Sequence, residues 1–253
     1  MNLEYSGGMV QREGLIVTDL EVRRGDFLLT VESWHVPTGS LIGLVGQNGA
    51  GKTTFINALS SVIKPRKGEI SFGTVPLAAM GWRLPELVGR VPDAFVGLED
   101  FTVADHFDLF AAMFEFWDNR YALELLNRLD VPLRKRMKTL SHGTRAKAHL
   151  AMVEGSRPRV LLLDEPTSGL DPVVRQELLA VLSEARLSDP GRIVVFSTHI
   201  LEDVVQVATC VSLVRRGRVF SPAFVDQLQS WRRTDPEARP RMLAAIFGVE
   251  SFG

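Results

Sequence analysis

The chain has 253 residues, of which 45% are hydrophobic, so it is long enough to bury the core of one large domain, with or without a modest inserted lobe. Its 29 Lys and Arg residues balance 30 Asp and Glu residues, and the net charge of −1 argues against nucleic acid as a partner. A single cysteine, Cys210, excludes an internal disulfide framework and a thiolate metal site. Because Cys210 lies in the apolar run 207–214, we expect it to be buried in a strand.

The two ends of the sequence bear on location. Residues 1–11 lack the basic and then apolar order of a secretory signal, and nowhere do about 18 apolar residues follow one another without a charge. We therefore expect a cytoplasmic protein. Near the other end, residues 232–241 are rich in arginine, proline and acids, as linkers often are, and residues 242–247 are predicted to form a short terminal helix.

The first predicted elements are two half-buried strands. Residues 15–22 and 27–34 alternate between apolar and polar side chains, and Arg24-Gly25-Asp26 joins them, which predicts an antiparallel hairpin. The pattern then changes to short apolar runs bounded by turn residues, as in parallel strands that are buried on both faces: 41–45, 160–163 and 193–196. Each run leads into a helical stretch, so the sequence predicts an α/β fold with a parallel sheet.

A glycine-rich loop follows the first of these runs and precedes a predicted helix at 54–62. Its residues fit the pattern G-x-x-x-x-G-K-[ST]: Gly46, Gln47, Asn48, Gly49, Ala50, Gly51, Lys52 and Thr53. Glycines allow the backbone to curl so that its N–H groups point at the β- and γ-phosphates of a nucleotide, and the helix N-terminus adds its positive end. A chance match in a chain of this length is on the order of 1%. We therefore interpret this stretch, through Thr54, as a nucleotide-binding loop.

Two side chains of the loop carry the charge and metal chemistry. Lys52 supplies a mobile positive charge for the β- and γ-phosphate oxygens, and the hydroxyl of Thr53 is placed to ligate Mg²⁺. These features alone are compatible with a kinase, a GTPase or an ATPase.

Residues 92–155 show helical periodicity and almost no strand pattern, which predicts an inserted helical lobe. Thr102 or Asp100 is placed to cap its first helix. Large apolar side chains fall at helix spacing on one face of that helix: Val103, Phe107, Phe110, Phe114 and Trp117. This face is either the core of the lobe or a docking surface for a partner.

The apolar run at 160–163 ends in two acids, Asp164 and Glu165, at the edge where open α/β sheets bind ligands. We expect Asp164 to hold the Mg²⁺ shell and Glu165 to polarise the attacking water. A solvated loop or a helix cap is the alternative for two acids after a strand. The sequence contains no Asn-Lys-x-Asp stretch for guanine selection, which counts against a GTPase.

Over about residues 15–228, the chain resembles the ATP-binding cassette, the nucleotide-binding subunit of ABC transporters. Leu140-Ser141-His142-Gly143-Thr144 resembles the signature motif of that family and precedes the strand that carries Asp164. Ser168-Gly169-Leu170-Asp171 is similar to its D-loop, and His199 corresponds to its switch histidine. The motifs follow one another in the order of the family.

The resemblance implies a second subunit. Ser141 and Gly143 would meet the γ-phosphate of an ATP bound to the opposite subunit, in a head-to-tail pair that encloses two ATP molecules. On its residues alone, Ser141 is predicted to cap a helix at about 143–154, whose first N–H groups form an anion site. The resemblance also implies that His199 hydrogen-bonds near the γ-phosphate and senses its loss, although a histidine after a strand is more commonly a polar loop residue. Asp171 followed by proline is predicted to be a helix N-cap.

Several positions differ from the family pattern. The signature motif carries His142 and Thr144 where glycine and glutamine are usual. Asp93 replaces the glutamine that the family usually has at the entry to the helical lobe. Its carboxylate is expected to reach Mg²⁺ or a water bound to Mg²⁺. No aromatic residue occupies the expected adenine-stacking place, so Arg24 or Phe27 is predicted to pack on the base.

We therefore expect an α/β P-loop NTPase of the ABC ATPase type, with a mainly parallel sheet core, an N-terminal antiparallel β subdomain and an inserted helical lobe. The expected ABC ATPase domain covers residues 1–230, with the lobe at about 92–155, and residues 231–253 form a short C-terminal tail.

The implied function is hydrolysis of ATP, with Mg²⁺, to power an ABC membrane transporter. The implied partners are an integral-membrane permease and a second nucleotide-binding subunit, as a homodimer or heterodimer, on the cytoplasmic face of the cell membrane. Asp93 and the stretch 97–103 are similar to ATPase subunits of ABC-2 type exporters. The alternatives are a soluble ABC ATPase that acts on nucleic acid or ribosomes, and a regulatory nucleotide-binding module. The absence of sustained heptads at 53–139 counts against the first alternative.

Overall fold

The computed structural model describes residues 14–224 and residue 241. The strands are β1 (Gly14–Arg24), β2 (Phe27–Pro37), β3 (Leu41–Val45), β4 (Lys67–Phe72), β5 (Val75–Pro76), β6 (Val88–Val91), β7 (Val160–Leu163), β8 (Ile193–Thr198), β9 (Cys210–Arg215), β10 (Arg218–Val219) and β11 (Ala223–Phe224). The helices are α1 (Lys52–Leu59), α2 (Leu84–Leu87), α3 (Val103–Met113), α4 (Asn119–Arg128), α5 (His142–Gly155), α6 (Pro172–Leu187) and α7 (Leu201–Val207). Apart from residue 241, the predicted linker at 232–241, terminal helix at 242–247 and tail at 231–253 lie outside the described residues.

One sheet runs through the molecule in the order β5-β4-β1-β2-β10-β9-β3-β8-β7-β6, and β11 pairs with β9. At one end, β1 pairs antiparallel with β2 and β4, and Arg24 lies opposite Phe27 across the predicted hairpin turn. At the other end, β9, β3, β8, β7 and β6 are parallel to one another, whereas β10 and β11 pair antiparallel with β9. The α/β fold with an antiparallel N-terminal part and a mainly parallel core is therefore confirmed.

The central strands are buried on both faces because their side chains alternate between two apolar clusters. Leu41 and Val45 of β3 pack with the lobe helices and α6, whereas Ile42 and Leu44 pack with β1, β2 and α1. Every residue of β3, β7 and β8 is buried, which explains why these strands are continuous apolar runs in the sequence. Cys210 in β9 is fully buried, as predicted.

The boundaries of α1 differ from the prediction. The backbone at Gly51 is left-handed, with φ of 117°, so the helix begins at Lys52 rather than at Thr54. The helix ends at Leu59, and Ser61 has φ of 56°, so residues up to 62 do not continue it.

The region 92–155 is helical, with α3, α4 and α5, so this part of the fold prediction is confirmed. Thr102, not Asp100, caps α3: its hydroxyl accepts a hydrogen bond of 3.1 Å from the N–H of Asp105, and the Asp105 carboxylate accepts one of 2.8 Å from the N–H of Thr102. Among the helices of the described residues, none is both long and apolar enough to cross a membrane.

The predicted apolar face of α3 is wrong at its end. The helix stops at Met113, so Phe114 and Trp117 lie beyond it. The Trp117 ring packs 5.5 Å from the ring of Phe107 and also covers Gly155, where a Cβ atom would approach the ring to 2.4 Å. Because the chain must turn to bring Trp117 onto α5, the helix cannot continue to that position.

A buried ion pair joins the end of the lobe to the sheet. Glu154 of α5 accepts two hydrogen bonds from Arg192, of 2.6 and 3.0 Å, just before β8 begins. The two side chains are 0% and 3% exposed. The hydroxyl of Tyr121 in α4 donates to the same carboxylate at 3.2 Å, so one acid connects two lobe helices to the sheet.

We predict that Glu154→Ala lowers the free energy of unfolding by about 3–5 kcal/mol, because it leaves the Arg192 charge buried without its partner. Urea unfolding at neutral pH measures this change. Arg120→Ala is the matched control, since it removes one member of an exposed ion pair with Glu124 and should leave stability unchanged. Equal midpoints for the two variants would show that the buried pair does not stabilise the fold.

Candidate functional site

The glycine-rich loop connects β3 to α1 and packs closely against the sheet. No side chain fits at Gly46, since a Cβ atom there would lie 2.3 Å from the carbonyl oxygen of Val214. The carbonyl of Ala50 accepts a hydrogen bond of 2.9 Å from the N–H of Gly217, in the turn between β9 and β10. Main-chain contacts with β9 and with the turn after it therefore hold the loop in place, and its shape depends on the glycines.

Lys52 begins α1 with its side chain only 5% exposed. Its ammonium donates to the carbonyl oxygens of Gly46 and Gln47, at 2.7 and 3.2 Å, and forms an ion pair of 3.0 Å with Glu165. The loop thus curls around one positive charge, as a binding site for phosphates requires.

The two predicted acids follow β7 and are fixed by the neighbouring strands. The N–H of Asp164 donates to the carbonyl of Val91 in β6 at 2.9 Å. In β8, the hydroxyl of Ser197 donates to the Asp164 carboxylate at 2.8 Å and accepts from the N–H of Glu165 at 2.8 Å. Ser197 was not predicted from the sequence; a polar residue at the end of an apolar strand beside His199 was the available signal.

The carboxylate of Glu165 joins the residues predicted to be catalytic. One oxygen pairs with Lys52, and the other accepts a hydrogen bond of 2.9 Å from Nδ1 of His199. Glu165 itself has φ of 48°, a left-handed conformation that costs energy in a residue other than glycine and often occurs at functional sites. The structure therefore brings Lys52, Glu165 and His199 together at one end of the sheet.

A cleft at this edge contains most of the predicted binding residues. Glu165, His199 and Asp93 line it, and Gly46 and Ala50 do not. The loop residues that line it are Gln47, Asn48, Gly49, Gly51, Lys52, Thr53 and Thr54. Asp164 precedes Glu165 in the chain, is 2% exposed and is not among the residues that line the cleft.

The acids provide an environment suited to a hard cation. Partial burial, and then the negative charges of Asp164 and Glu165, raise the pKa of Asp93. The electrostatic interaction with the His142 ring acts in the opposite direction and lowers it. The predicted metal ligands, which are Asp164, Asp93 and the hydroxyl of Thr53, are all oxygen donors. Among the described residues, no group of three or more His, Cys, Asp or Glu side chains forms a metal cage. These donors fit Mg²⁺, which commonly takes one or two carboxylates and completes its shell with phosphate and water.

The wall of the cleft near the β1–β2 turn carries both candidates for base stacking. Arg24 and Phe27 line it, and the edge of the Phe27 ring would lie 3.0 Å from a Cβ atom at Gly51. Phe27 is therefore seated on the start of α1, whereas Arg24 is exposed at the rim.

Ser141 and Gly143 are not among the residues that line this cleft. Ser141 caps α5, since its hydroxyl accepts a hydrogen bond of 3.2 Å from the N–H of Thr144, and the helix begins at His142. The His142 ring donates through Nε2 to the carbonyl of Ser168 at 3.2 Å, so the start of α5 touches the loop that follows Glu165. The structure thus places the signature residues next to the loop that follows Glu165, with Ser141 and Gly143 outside the lining of the cleft.

Asp171 caps α6, as predicted. Its carboxylate accepts hydrogen bonds of 3.1 Å from the N–H groups of Val173 and Val174, and Pro172 occupies the first helical position. The loop 168–171 is therefore anchored at its far end by a helix terminus.

Residues 29–168, more than half of the chain, match the family described as ABC transporter. The chain belongs to the ABC transporter family. It is an ATP-binding subunit of that family, and its fold is that of an ABC ATPase, as the sequence predicted.

Related proteins agree with this assignment. The cassette is 28% identical to an uncharacterized ABC transporter ATP-binding protein of Bacillus subtilis, over 96% of this chain and 78% of the relative. It is 32% identical to the Nod factor export ATP-binding protein I of Burkholderia pseudomallei, over 78% of this chain and 66% of the relative. A solved structure of an ATP-binding subunit of an ABC transporter superposes with a TM-score of 0.75 at 26% identity, over 88% of this chain and 95% of that one.

We predict that Asp93→Asn raises the thermal stability of the metal-free cassette at pH 7. The raised pKa of Asp93 means that its ionised form is less stable in the folded state than in the unfolded chain. The gain should therefore shrink as the pH falls to about 4, because the raised pKa allows the folded carboxyl to take up a proton before the unfolded chain does. Thermal unfolding in a chelator at both pH values measures this effect.

Asp108→Asn, at an exposed aspartate of α3, is the control and should show no such pH-dependent gain. A gain for Asp93→Asn that persisted at low pH would contradict the electrostatic explanation.

Proposed function

We propose that this cassette binds Mg-ATP in the cleft at the glycine-rich loop and hydrolyses it. The observation that supports this most strongly is the contact of Glu165 with both Lys52 and His199 beside the loop. In this proposal, the loop amides and Lys52 hold the β- and γ-phosphates, and Glu165 orients a water for in-line attack. His199 holds Glu165 in place and senses the γ-phosphate.

The chain also provides a place for the metal ion. Thr53, Asp164 and Asp93 would hold Mg²⁺, which would neutralise charge on the phosphate oxygens. Ser197 would hold the Asp164 carboxylate and the backbone of Glu165 in fixed positions relative to each other, because its hydroxyl hydrogen-bonds both.

We further propose that two subunits associate head to tail around two ATP molecules. Ser141 and Gly143 lie off the cleft of their own chain, at the start of α5, where the helix N-terminus favours an anion. An anion site outside the cleft of its own chain is suited to the γ-phosphate held by a second nucleotide-binding subunit, either an identical copy or a different cassette.

The proposed partner is an integral-membrane permease, with the cassette on the cytoplasmic face of the cell membrane. Between residues 96 and 116, the lobe exposes apolar side chains that a cytoplasmic helix of a permease could cover: Val96, Leu98, Phe101, Leu109, Met113 and Phe116. Export is the direction favoured by the likeness to ABC-2 type subunits and by the relative named for Nod factor export. Residues 1–230 remain our proposed ATPase domain, with its lobe at 92–155 and a tail at 231–253.

We predict that Glu165→Gln retains ATP binding but lowers turnover by a factor on the order of 100 or more, because a neutral amide cannot polarise the water. The variant should accumulate as an ATP-bound dimer, which light scattering with Mg-ATP detects. Lys52→Ala should instead weaken ATP binding itself, about 10- to 100-fold, through loss of a charged hydrogen bond. Calorimetry with Mg-ATP distinguishes the two effects.

Glu115→Gln, at an exposed position beyond α3, is the control for the charge change and should behave as the wild type. Full turnover by Glu165→Gln would remove Glu165 from the proposed role. Unchanged affinity in Lys52→Ala would count against the loop as the phosphate site.

A regulatory module without useful turnover is the second candidate, because His142, Thr144 and Asp93 depart from the family pattern. Basal ATPase activity of the purified wild type distinguishes it from the transporter subunit. A soluble ATPase that acts on nucleic acid or ribosomes is the third, and it would not co-purify with a membrane protein.

We predict that replacing both Leu98 and Phe101 by glutamate reduces recovery of an integral-membrane partner from detergent extract, since charge would be buried in the docking surface. Affinity for ATP should not change. Trp82→Glu is the control, because Trp82 is 81% exposed in the segment between β5 and α2, outside the lobe. Equal recovery with all three proteins, at normal ATP binding, would place the permease contact elsewhere.

A further inference from the structure

A second cavity, of about 40 Å³, lies between α5 and the chain segment that follows β6. Its walls are largely apolar and include Phe95, Leu150 and Leu163. Asp93 and Glu165 line both this cavity and the nucleotide cleft. These two acidic residues are therefore shared by the walls of both spaces.

His149, in the middle of α5, lines the same cavity and is 7% exposed. The edge of its ring faces the Phe95 ring, with centroids 5.1 Å apart. Within residues 14–224, no protein group forms a hydrogen bond or ion pair with its ring nitrogens. Its nitrogens are nevertheless not fully enclosed by protein atoms, so they border space that a water molecule can reach. A polar group that is mostly buried and has no protein partner commonly hydrogen-bonds ordered water.

The protonation state of His149 defines what it can bind. Burial, followed by the charges of Arg90 and of His106, lowers the pKa of His149 to about 4. At neutral pH the ring is therefore uncharged, with one N–H donor and one nitrogen acceptor. Such a group binds water well, whereas a cation is disfavoured because Arg145 lines the same space.

The Asp93 carboxylate also lacks a hydrogen-bond partner within the described part of the chain and can accept hydrogen bonds from water. Among the hydrogen bonds of the described residues, none involves this carboxylate, and its charge is disfavoured by the two acids beside it. A cavity of this size holds about two or three water molecules, and a buried water is retained where several polar groups surround it. His149, Asp93 and Glu165 all line the cavity, so water there can hydrogen-bond all three.

We infer that His149 is a positioning residue for ATP hydrolysis, which acts through ordered water in this cavity to hold the Asp93 and Glu165 carboxylates from the side away from the nucleotide. This inference rests on the proposed function. It gives His149 a role in orienting Asp93, a proposed Mg²⁺ ligand, and Glu165, which is proposed to orient the attacking water. His149 itself does not line the nucleotide cleft.

The test compares two substitutions of similar size. His149→Leu removes the water partner, whereas His149→Gln keeps a donor and an acceptor. We expect His149→Leu to lower kcat about tenfold, which corresponds to about 1.4 kcal/mol, with KM for ATP unchanged. His149→Gln should keep kcat within about threefold of the wild type. Thermal unfolding of both variants separates this effect from a loss of stability.

A second variant removes the water without changing the histidine. Ala146 lines the cavity, so Ala146→Val fills part of it and should produce the same fall in kcat at constant KM. A high-resolution crystal structure of the wild type should show water within hydrogen-bond distance of the His149 ring and of the Asp93 carboxylate. This structural test does not depend on turnover.

Wild-type kcat in both His149→Leu and Ala146→Val would overturn the inference. Equal losses in the leucine and glutamine variants would do the same, since His149 would then be only a core residue, as would a dry cavity in the crystal structure. A wild-type protein that binds no ATP or hydrolyses none would instead count against the proposed function.

Discussion

The order of the central strands determines where the predicted catalytic residues of this protein meet. Strands β3, β8 and β7 are adjacent and parallel, so their carboxyl ends meet at one edge of the sheet. The glycine-rich loop follows β3, His199 follows β8, and Glu165 follows β7. Because β8 lies between the other two, His199 and Lys52 can both reach the same carboxylate.

The conformation at Glu165 shows how that edge is held together. A left-handed backbone is unfavourable for a glutamate, and it persists here because Ser197 accepts from the N–H of Glu165. The same hydroxyl donates to Asp164, so one side chain of β8 orients both acids of β7. A small displacement of β8 relative to β7 would therefore shift Asp164 and Glu165 together.

The lobe is tied to this edge at separate points. Glu154 connects the end of α5 to Arg192 through a buried ion pair, and His142 connects the start of α5 to the carbonyl of Ser168. Between these two contacts, His149 and the cavity lie against Asp93. One helix thus carries the proposed contact with a second subunit at its start and the firm attachment to the sheet at its end. This arrangement gives a physical route by which a partner on the lobe can affect the acids.

Some parts of the fold and of the site could be predicted because their cause is local. The glycine-rich loop, the acids after an apolar run and the cap at Asp171 each depend on neighbouring residues in sequence, and each stands where it was expected. Strand β6 could not be predicted in this way, since Gly89 and Arg90 interrupt its apolar pattern. Gly89 is required by packing against Pro158, which is close only in space.

The sequence by itself determined the chemical groups of the site and the alternation of strands and helices, because local pattern and residue type specify both. Only the tertiary structure decided which groups meet. The contact of Glu165 with Lys52, the role of Ser197 and the cavity at His149 all join residues far apart in the chain. Such contacts follow from strand order and packing, which no local pattern encodes.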